Sequence, residues 1–290
     1  MRAFVLALCL ALAAAPAAAK GPFQPWIGGT TAVEPLTQVQ RYDADTYVMR
    51  QSVKTNFEAP FLYLLFGKDR ALLLDSGAGG LKIRPEVDAA IDRWLAEHRR
   101  RSIPLVVAHT HGHGDHRAGD AEFRERPDTT VVGLTAPEVA AFFGVRDWPN
   151  GIARFDLGGR VLDVIPTPGH QPAHIMVYDR RTRLLFTGDT LYPGRLYVPS
   201  NMFADFRSSI DRVVDFTRKH PVKWILGAHV EMTGEAGKDY PNPAFSRPNE
   251  HALELPYASL LELQAAIRKM GDTPVRDVHP DFIVAPVAPR

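Results

Sequence analysis

Thr110-His111-Gly112-His113-Gly114-Asp115-His116 places four side chains able to bind a metal cation, His111, His113, Asp115 and His116, within six residues. Imidazole and carboxylate are donors that divalent cations take from proteins, and glycine lets the backbone turn sharply enough to aim neighbouring side chains into one space. A regular strand would send His111 and His113 to the same side, but it could not gather Asp115 and His116 as well, because successive side chains alternate. A loop at a strand end can do so. The apolar run Ile103 to Ala108, directly before the cluster, reads as a fully buried strand, so the motif is expected where that strand ends.

Working outward, three further candidate ligands stand in the same kind of place. His170 lies in Pro168-Gly169-His170 after the strand-like Val161 to Pro166. Asp189 lies in Thr187-Gly188-Asp189-Thr190 after Leu184 to Thr187, and His229 in Gly227-Ala228-His229 after the run Val222 to Gly227. Taken singly, each histidine has an ordinary reading as a solvated or structural residue. Together the seven side chains, each at a strand end, would converge on one edge of a sheet, where α/β proteins usually collect ligands.

The rest of the chain reads as strands punctuated by a few amphipathic helices. Strands are expected at Tyr47 to Val53, Phe61 to Phe66, Ala71 to Leu74, Thr130 to Gly133 and Ile175 to Tyr178, with a last one at Asp281 to Val284. Helices are expected at Pro85 to His98, Phe206 to His220 and Tyr257 to Met270. Residues 20–41, with Pro22, Pro25, Gly28, Gly29 and Pro35, read as an irregular N-terminal arm ahead of one domain, 42–290. Thr233 to Leu255, rich in Gly, Pro and Asn, reads as a long surface loop, and Tyr240, Phe245 and Arg247 within it could form part of a lid.

A 290-residue chain that is 45% hydrophobic and 23% charged has the composition of a folded globular protein, not of a disordered or fibrous one. Thirty-four Lys and Arg against 33 Asp and Glu give no basic footprint for nucleic acid, so a small-molecule substrate is the expected partner. Met1-Arg2, the apolar run from Ala3 to Ala15 and the small residues Ala17-Ala18-Ala19 form the pattern of a secretory signal peptide, residues 1–19. Cleavage near Ala19 would send the mature chain to the periplasm or outside the cell, without stable membrane insertion. It would also remove Cys9, the sole cysteine, and with it any disulfide or thiolate ligand.

The histidine motif with His170, Asp189 and His229 resembles that of the metallo-β-lactamase superfamily. The resemblance runs from about Asp45 to His229 and implies a four-layer αββα sandwich with metals at one edge of the sheets. It implies that His111, His113 and His170 hold one cation, that Asp115, His116 and His229 hold a second, and that Asp189 bridges them. Two Zn²⁺ per chain suit the nitrogen and oxygen donors, and iron or manganese is compatible with them. A hydroxide shared by the two ions would be the nucleophile, with Asp115 orienting it and passing a proton to the leaving group. Asp75 resembles the family's acidic residue behind the ligands and reads equally well as a turn residue. Tyr192, three residues after Asp189, matches a substrate-facing tyrosine of related lactonases and is a second catalytic candidate, with packing the alternative. Arg195, and with it Tyr197, is a candidate for a substrate's polar end.

The resemblance is closest to the glyoxalase II and lactonase side, which implies hydrolysis of a carboxylic ester, thioester or lactone. A class B β-lactamase is the runner-up; the bridging carboxylate at Asp189 argues against it, since such β-lactamases generally lack one. A mononuclear iron enzyme like the persulfide dioxygenases and a metal-binding protein without turnover are the remaining readings.

Overall fold

The structure, a computed structural model, describes residues 21–289; the expected signal peptide, with Cys9, lies outside the described residues. One sheet takes six strands in chain order: β1 (Thr37–Asp43), β2 (Thr46–Gln51), β3 (Phe61–Phe66), β4 (Ala71–Leu74), β5 (Leu105–Ala108) and β6 (Thr129–Val131). The first four are antiparallel neighbours, and β4, β5 and β6 run parallel. Helix α1 (Arg84–Glu97) makes the crossover from β4 to β5 that a parallel pair requires. After β5 come the short helices α2 (Gly114–Arg117) and α3 (Asp120–Arg124), and after β6 comes α4 (Ala136–Phe143).

The second sheet is formed by β7 (Ala153–Asp156), β8 (Val161–Pro166), β9 (Ile175–Asp179), β10 (Leu184–Gly188), β12 (Trp224–Gly227) and β13 (Glu254–Leu255). Their spatial order is β13-β12-β10-β9-β8-β7. Helices α5 (Phe203–Thr217) and α6 (Tyr257–Lys269) belong to this half. A small third sheet joins β11 (Arg195–Pro199), β15 (Ile283–Val287) and β14 (Asp277–Val278).

The layers follow from strands that are apolar at nearly every position, as strands covered on both faces are. In β3, Phe61, Tyr63 and Leu65 face the other sheet, where Tyr63 packs on Phe186 with ring centroids 4.6 Å apart. Leu62, Leu64 and Phe66 point the other way, onto Val87, Ile91 and Trp94 of α1. In the second sheet, Ile165, Met176, Leu185 and Ile225 point outward onto Phe206, Ile210 and Val213 of α5 and Leu260, Leu263 and Ile267 of α6. The result is the expected αββα sandwich. Each of these fully buried large side chains contributes roughly 1.5–3 kcal/mol through removal of apolar surface from water.

Three expectations change. The arm is irregular only as far as Leu36, because β1 begins at Thr37 and pairs with β2 along its whole length. Helix α4 and strands β7 and β11 are additions to the sequence reading. The 233–255 stretch carries little regular structure, yet bridges Met232↔Asp239 and Thr233↔Glu250 and the β12–β13 pairing stitch it to the body.

Candidate metal centre

Strand polarity assembles the site. Both β8 and β10 run antiparallel to β9, and β12 runs parallel to β10, so the three strands preceding His170, Asp189 and His229 point the same way. Strand β5 delivers His111 and His113, and the single turn of α2 carries Asp115 and His116. Two glycines allow the loops to close. At Gly188 (φ +52°) a Cβ would lie 2.7 Å from Thr110 Cβ, and at Gly169 (φ +150°) one would lie 2.5 Å from Phe206 Cα. No larger residue fits at either place without moving backbone.

All seven predicted ligands come together, in two groups. In the first, His113 Nδ1 stands 2.9 Å from His111 Nε2 and 3.0 Å from His170 Nε2. In the second, Asp115 Oδ2 stands 3.2 Å from His116 Nε2 and 3.3 Å from His229 Nε2. Asp189 joins them. Its Oδ1 lies 3.3 Å from both His116 Nε2 and His229 Nε2, while its Oδ2 faces His170 Nε2 at 3.5 Å and His111 Nε2 at 3.8 Å. Within each of the sets His111, His113, His170 and Asp115, His116, Asp189, His229, one ligand atom per residue lies within 4.8 Å of every other.

The outer nitrogens fix which ring atom faces inward. His170 Nδ1 donates to the Tyr197 carbonyl at 2.7 Å, His229 Nδ1 to the Glu58 carbonyl at 3.0 Å, and His116 Nδ1 to Asp75 Oδ2 at 2.9 Å. Carbonyl and carboxylate oxygens only accept, so each of these rings carries a proton on Nδ1 and turns its Nε2 to the centre. Burial, then the neighbouring His116, hold His111 well below the ordinary imidazole range, which leaves that ring neutral. In the first group a single nitrogen-bound proton of His113 cannot serve both neighbouring nitrogens. A cation would satisfy all three.

The second group shows the same deficit. His116 Nε2 and Asp189 Oδ1 are buried with no hydrogen-bond partner. Burial opposes charge on His116 and His229, yet Asp189 and Asp115 carry both rings well above the ordinary value, so this group draws positive charge. The donor set therefore fits one divalent cation in each group, with no sulfur among the donors.

Asp75 stands behind the ligands, against His116. It is fully buried and, besides His116, accepts from the Thr110 amide at 2.7 Å and the Thr110 hydroxyl at 2.9 Å. It does so in a left-handed conformation (φ +68°) that aspartate tolerates better than most residues.

Tyr192 and Arg195 require correction as substrate-facing residues. Tyr192 lies beside His229, with ring centroids 5.5 Å apart, but it is 2% exposed and its hydroxyl donates to the Arg195 carbonyl. Burial, then Glu231, push that phenol well up, so it keeps its proton. Arg195 is turned into the protein, pairing with Glu231 at 3.2 Å and Asp239 at 3.1 Å. A buried tyrosine and arginine in reach of a carboxylate spend their polar groups on each other.

Thr110, Glu58 and Tyr197 also act on the ligands, and sequence reasoning gives no such roles to Thr110 or Glu58. The Thr110 hydroxyl, between Asp75, His111 and His116, is legible in principle because it lies inside the motif. Glu58 and Tyr197 act through main-chain carbonyls, which leave no signal in residue identity. His109 is buried and pairs with Asp120 at 2.8 Å. The mouth of the centre lies where the ligands meet solvent, at His113, Gly114 and Asp115.

Comparison with known proteins gives one family. The sequence model described as the metallo-beta-lactamase superfamily matches residues 56–240. The hydroxyacylglutathione hydrolase of Rhizobium meliloti (strain 1021) is 36% identical over 118 residues, which are 39% of this chain and 43% of that protein. The acyl-coenzyme A thioesterase MBLAC2 of Homo sapiens is 28% identical over 207 residues, covering 60% of this chain and 74% of the relative. A metallo-beta-lactamase from Pontibacter korlensis superposes with a TM-score of 0.53 at 18% identity, over 80% of this chain and 99% of that one, and so shares the fold.

Proposed function

The chain belongs to the metallo-β-lactamase superfamily, and from that membership we propose that it is a hydrolase that holds two divalent cations, zinc being the best suited, and cleaves a carboxylic thioester, ester or lactone. The observation that carries this reading is the Asp189 carboxylate, one oxygen turned to each ligand group. Two cations bound there would supply an acidified water molecule as nucleophile and polarise the carbonyl under attack. No serine or cysteine nucleophile is then required.

The chain's own residues have definable tasks. His111, His113 and His170 would hold one cation and Asp115, His116 and His229 the other, with His116, His170 and His229 held in rotation by their outer hydrogen bonds. Asp115, less buried than the other second-group ligands, would accept a proton on its carboxylate and return it to the leaving group. Burial alone would raise its pKa, but His116 and His229 outweigh that and hold it far below the ordinary carboxylate range, so it is ionised. Behind the ligands, Asp75, Thr110 and Tyr192 are buried.

Thioesters are the favoured class, supported by the two curated relatives, a hydroxyacylglutathione hydrolase and an acyl-coenzyme A thioesterase. The bridging carboxylate speaks against a β-lactam substrate. The signal-like sequence of residues 1–19 supports export to the periplasm or beyond, which cell fractionation and mass measurement of the mature amino terminus would test.

The decisive experiment is a substrate panel on the zinc-loaded chain, with S-acyl glutathione, acyl-coenzyme A, a p-nitrophenyl ester, an acyl-homoserine lactone and nitrocefin. Thioesters are expected to turn over fastest and nitrocefin slowest. Nitrocefin in first place would establish the β-lactamase reading instead. A native metal content of one iron per chain would move the protein to the dioxygenase branch.

A further inference from the structure

The 233–255 segment, expected to cover the site as a loop, is anchored beneath it by one side chain. Arg247 is 5% exposed. Its Nη1 donates to the Val230 carbonyl at 2.7 Å and its Nη2 to the Phe57 carbonyl. Val230 directly follows the ligand His229, and Phe57 directly precedes Glu58, whose carbonyl receives the His229 Nδ1 proton at 3.0 Å. One guanidinium thus grips both backbone segments that share the His229 hydrogen bond, and its planar fork suits the task as an ammonium would not.

Arg247 is itself held from the far side. Its amide donates to the Gly28 carbonyl at 2.6 Å, and Glu250, 3.9 Å from its Nη1, pairs with Arg50 through two contacts of 2.5 Å. Arg50 in turn reaches the Ile27 carbonyl at 3.4 Å. The N-terminal arm, Arg50 and the 247–250 turn therefore back a single clamp. A second link between the same two segments, Phe61 amide to Ala228 carbonyl at 2.8 Å, does not involve Arg247 and would keep them adjacent in its absence.

We propose that Arg247 is a positioning residue for the second cation, setting the distance between Glu58 and Val230 and so the direction of the His229 ring; this rests on the two-cation reading above. The first group takes its orientation elsewhere, His170 from the Tyr197 carbonyl of β11. Loss of the fork should therefore weaken one cation and spare the other.

The test is a zinc titration against a chromophoric chelator, on the intact wild-type chain and on Arg247→Met and Arg247→Lys. His229→Ala and His113→Ala assign the two binding steps. Both Arg247 variants are expected to weaken the His229-dependent step tenfold or more, in the range seen when contacts behind a metal ligand are lost, and to leave the His113-dependent step unchanged. Arg247→Lys keeps the charge beside Glu250 and guards against a variant that fails to fold. Arg160→Met, at the opposite edge of the sandwich, should lower thermal stability while leaving both steps as in wild type. Unchanged steps in the Arg247 variants, or two steps weakened together in proportion to lost stability, would overturn the proposal. A wild-type chain that takes up a single zinc would remove the two-cation reading first, and this inference with it, whereas normal wild-type stoichiometry with an indifferent Arg247 removes the inference alone.

Discussion

At the scale of single residues, the site is a set of nitrogen and oxygen donors turned on two neighbouring points, and Asp189 joins the two. Asp189→Asn keeps the volume and removes the charge that faces both ligand groups. On the two-cation proposal, metal content measured by plasma mass spectrometry is expected to fall from two ions per chain towards one, with turnover reduced on the order of 100-fold or more, a loss typical when an electrostatic element of a catalytic site is removed. Asp75→Asn should act one step further back, by loosening the His116 ring. A roughly 10–100-fold weaker second cation is expected in a competition titration, and undiminished affinity would show that Asp75 merely turns the chain. The ligands were legible in the sequence because nitrogen and oxygen donors at that spacing have few other uses. Tyr192 was misleading for the opposite reason, since a tyrosine near a ligand in sequence says nothing of whether its hydroxyl meets substrate or, as here, a buried carbonyl.

At the scale of elements, strands apolar on both faces read cleanly: Phe61–Phe66, Ala71–Leu74 and Val161–Pro166 have the expected bounds. Helix α4 escapes that logic because it is short. Its signal was nonetheless present as a capping box, in which the Thr135 hydroxyl accepts from the Glu138 amide and Glu138 accepts from the Thr135 amide. Strand β11 is hidden by its polar Arg195 and by a partner, β15, far along the chain. Helix α5 supports the His170 turn through Gly169, and Gly169→Ala should cost more than about 1 kcal/mol, because the new methyl meets Phe206 backbone at a φ that favours glycine. A lowered Tm accompanied by weaker binding in the first group would be the sign of it.

The pairing of His251 with Asp281, at 3.2 Å, ties the 233–255 segment to the stretch before β15 and carries a pH signature. Burial is the largest single influence on the His251 pKa and lowers it, but the hydrogen bonds to Asp281 and the Ala252 carbonyl and the charges of Asp281 and Glu254 together outweigh it and the net shift is upward, while the His251 hydrogen bond, partly opposed by burial, draws Asp281 downward. A raised histidine contributes stability that is complete below its unfolded value, roughly 6.5, and is lost as pH rises through the folded value. The lowered aspartate contributes above its unfolded value and loses that contribution as pH falls through the folded one. The pair is therefore strongest in mildly acid solution, and His251→Gln is expected to lower the Tm at pH 5.5 and hardly at all at pH 9.

At the scale of the whole molecule, the edge opposite the metal centre has its own fastening. Arg160, 2% exposed, pairs with Asp179 at 2.6 Å and also donates to the Asp45 and Phe66 carbonyls and the Thr46 hydroxyl, so it crosses from one sheet to the other. Arg160→Met strands the Asp179 carboxylate in the interior, and a loss of roughly 3 kcal/mol is expected, as for other buried pairs deprived of one partner. Thermal unfolding should register it as a fall in Tm on the order of 5–10 °C. Chelation should behave in the reverse way, abolishing hydrolysis while circular dichroism keeps the sandwich, because the three hydrophobic layers do not pass through the centre. A sequence reader can infer the layers but not this fastening, since Arg160, Asp179 and Thr46 are scattered polar residues whose meeting depends on how the two sheets align.

The Tyr197 carbonyl that steadies His170 belongs to β11, and β11 lies against β15, where Tyr197 pairs with Ala285. Proteolysis, or a stop codon, that removes β15 would therefore delete none of the seven donors and still let an imidazole swing loose more than a hundred residues upstream. In a library of nonsense variants, the threshold for survival should fall just inside that last strand and well beyond the final donor.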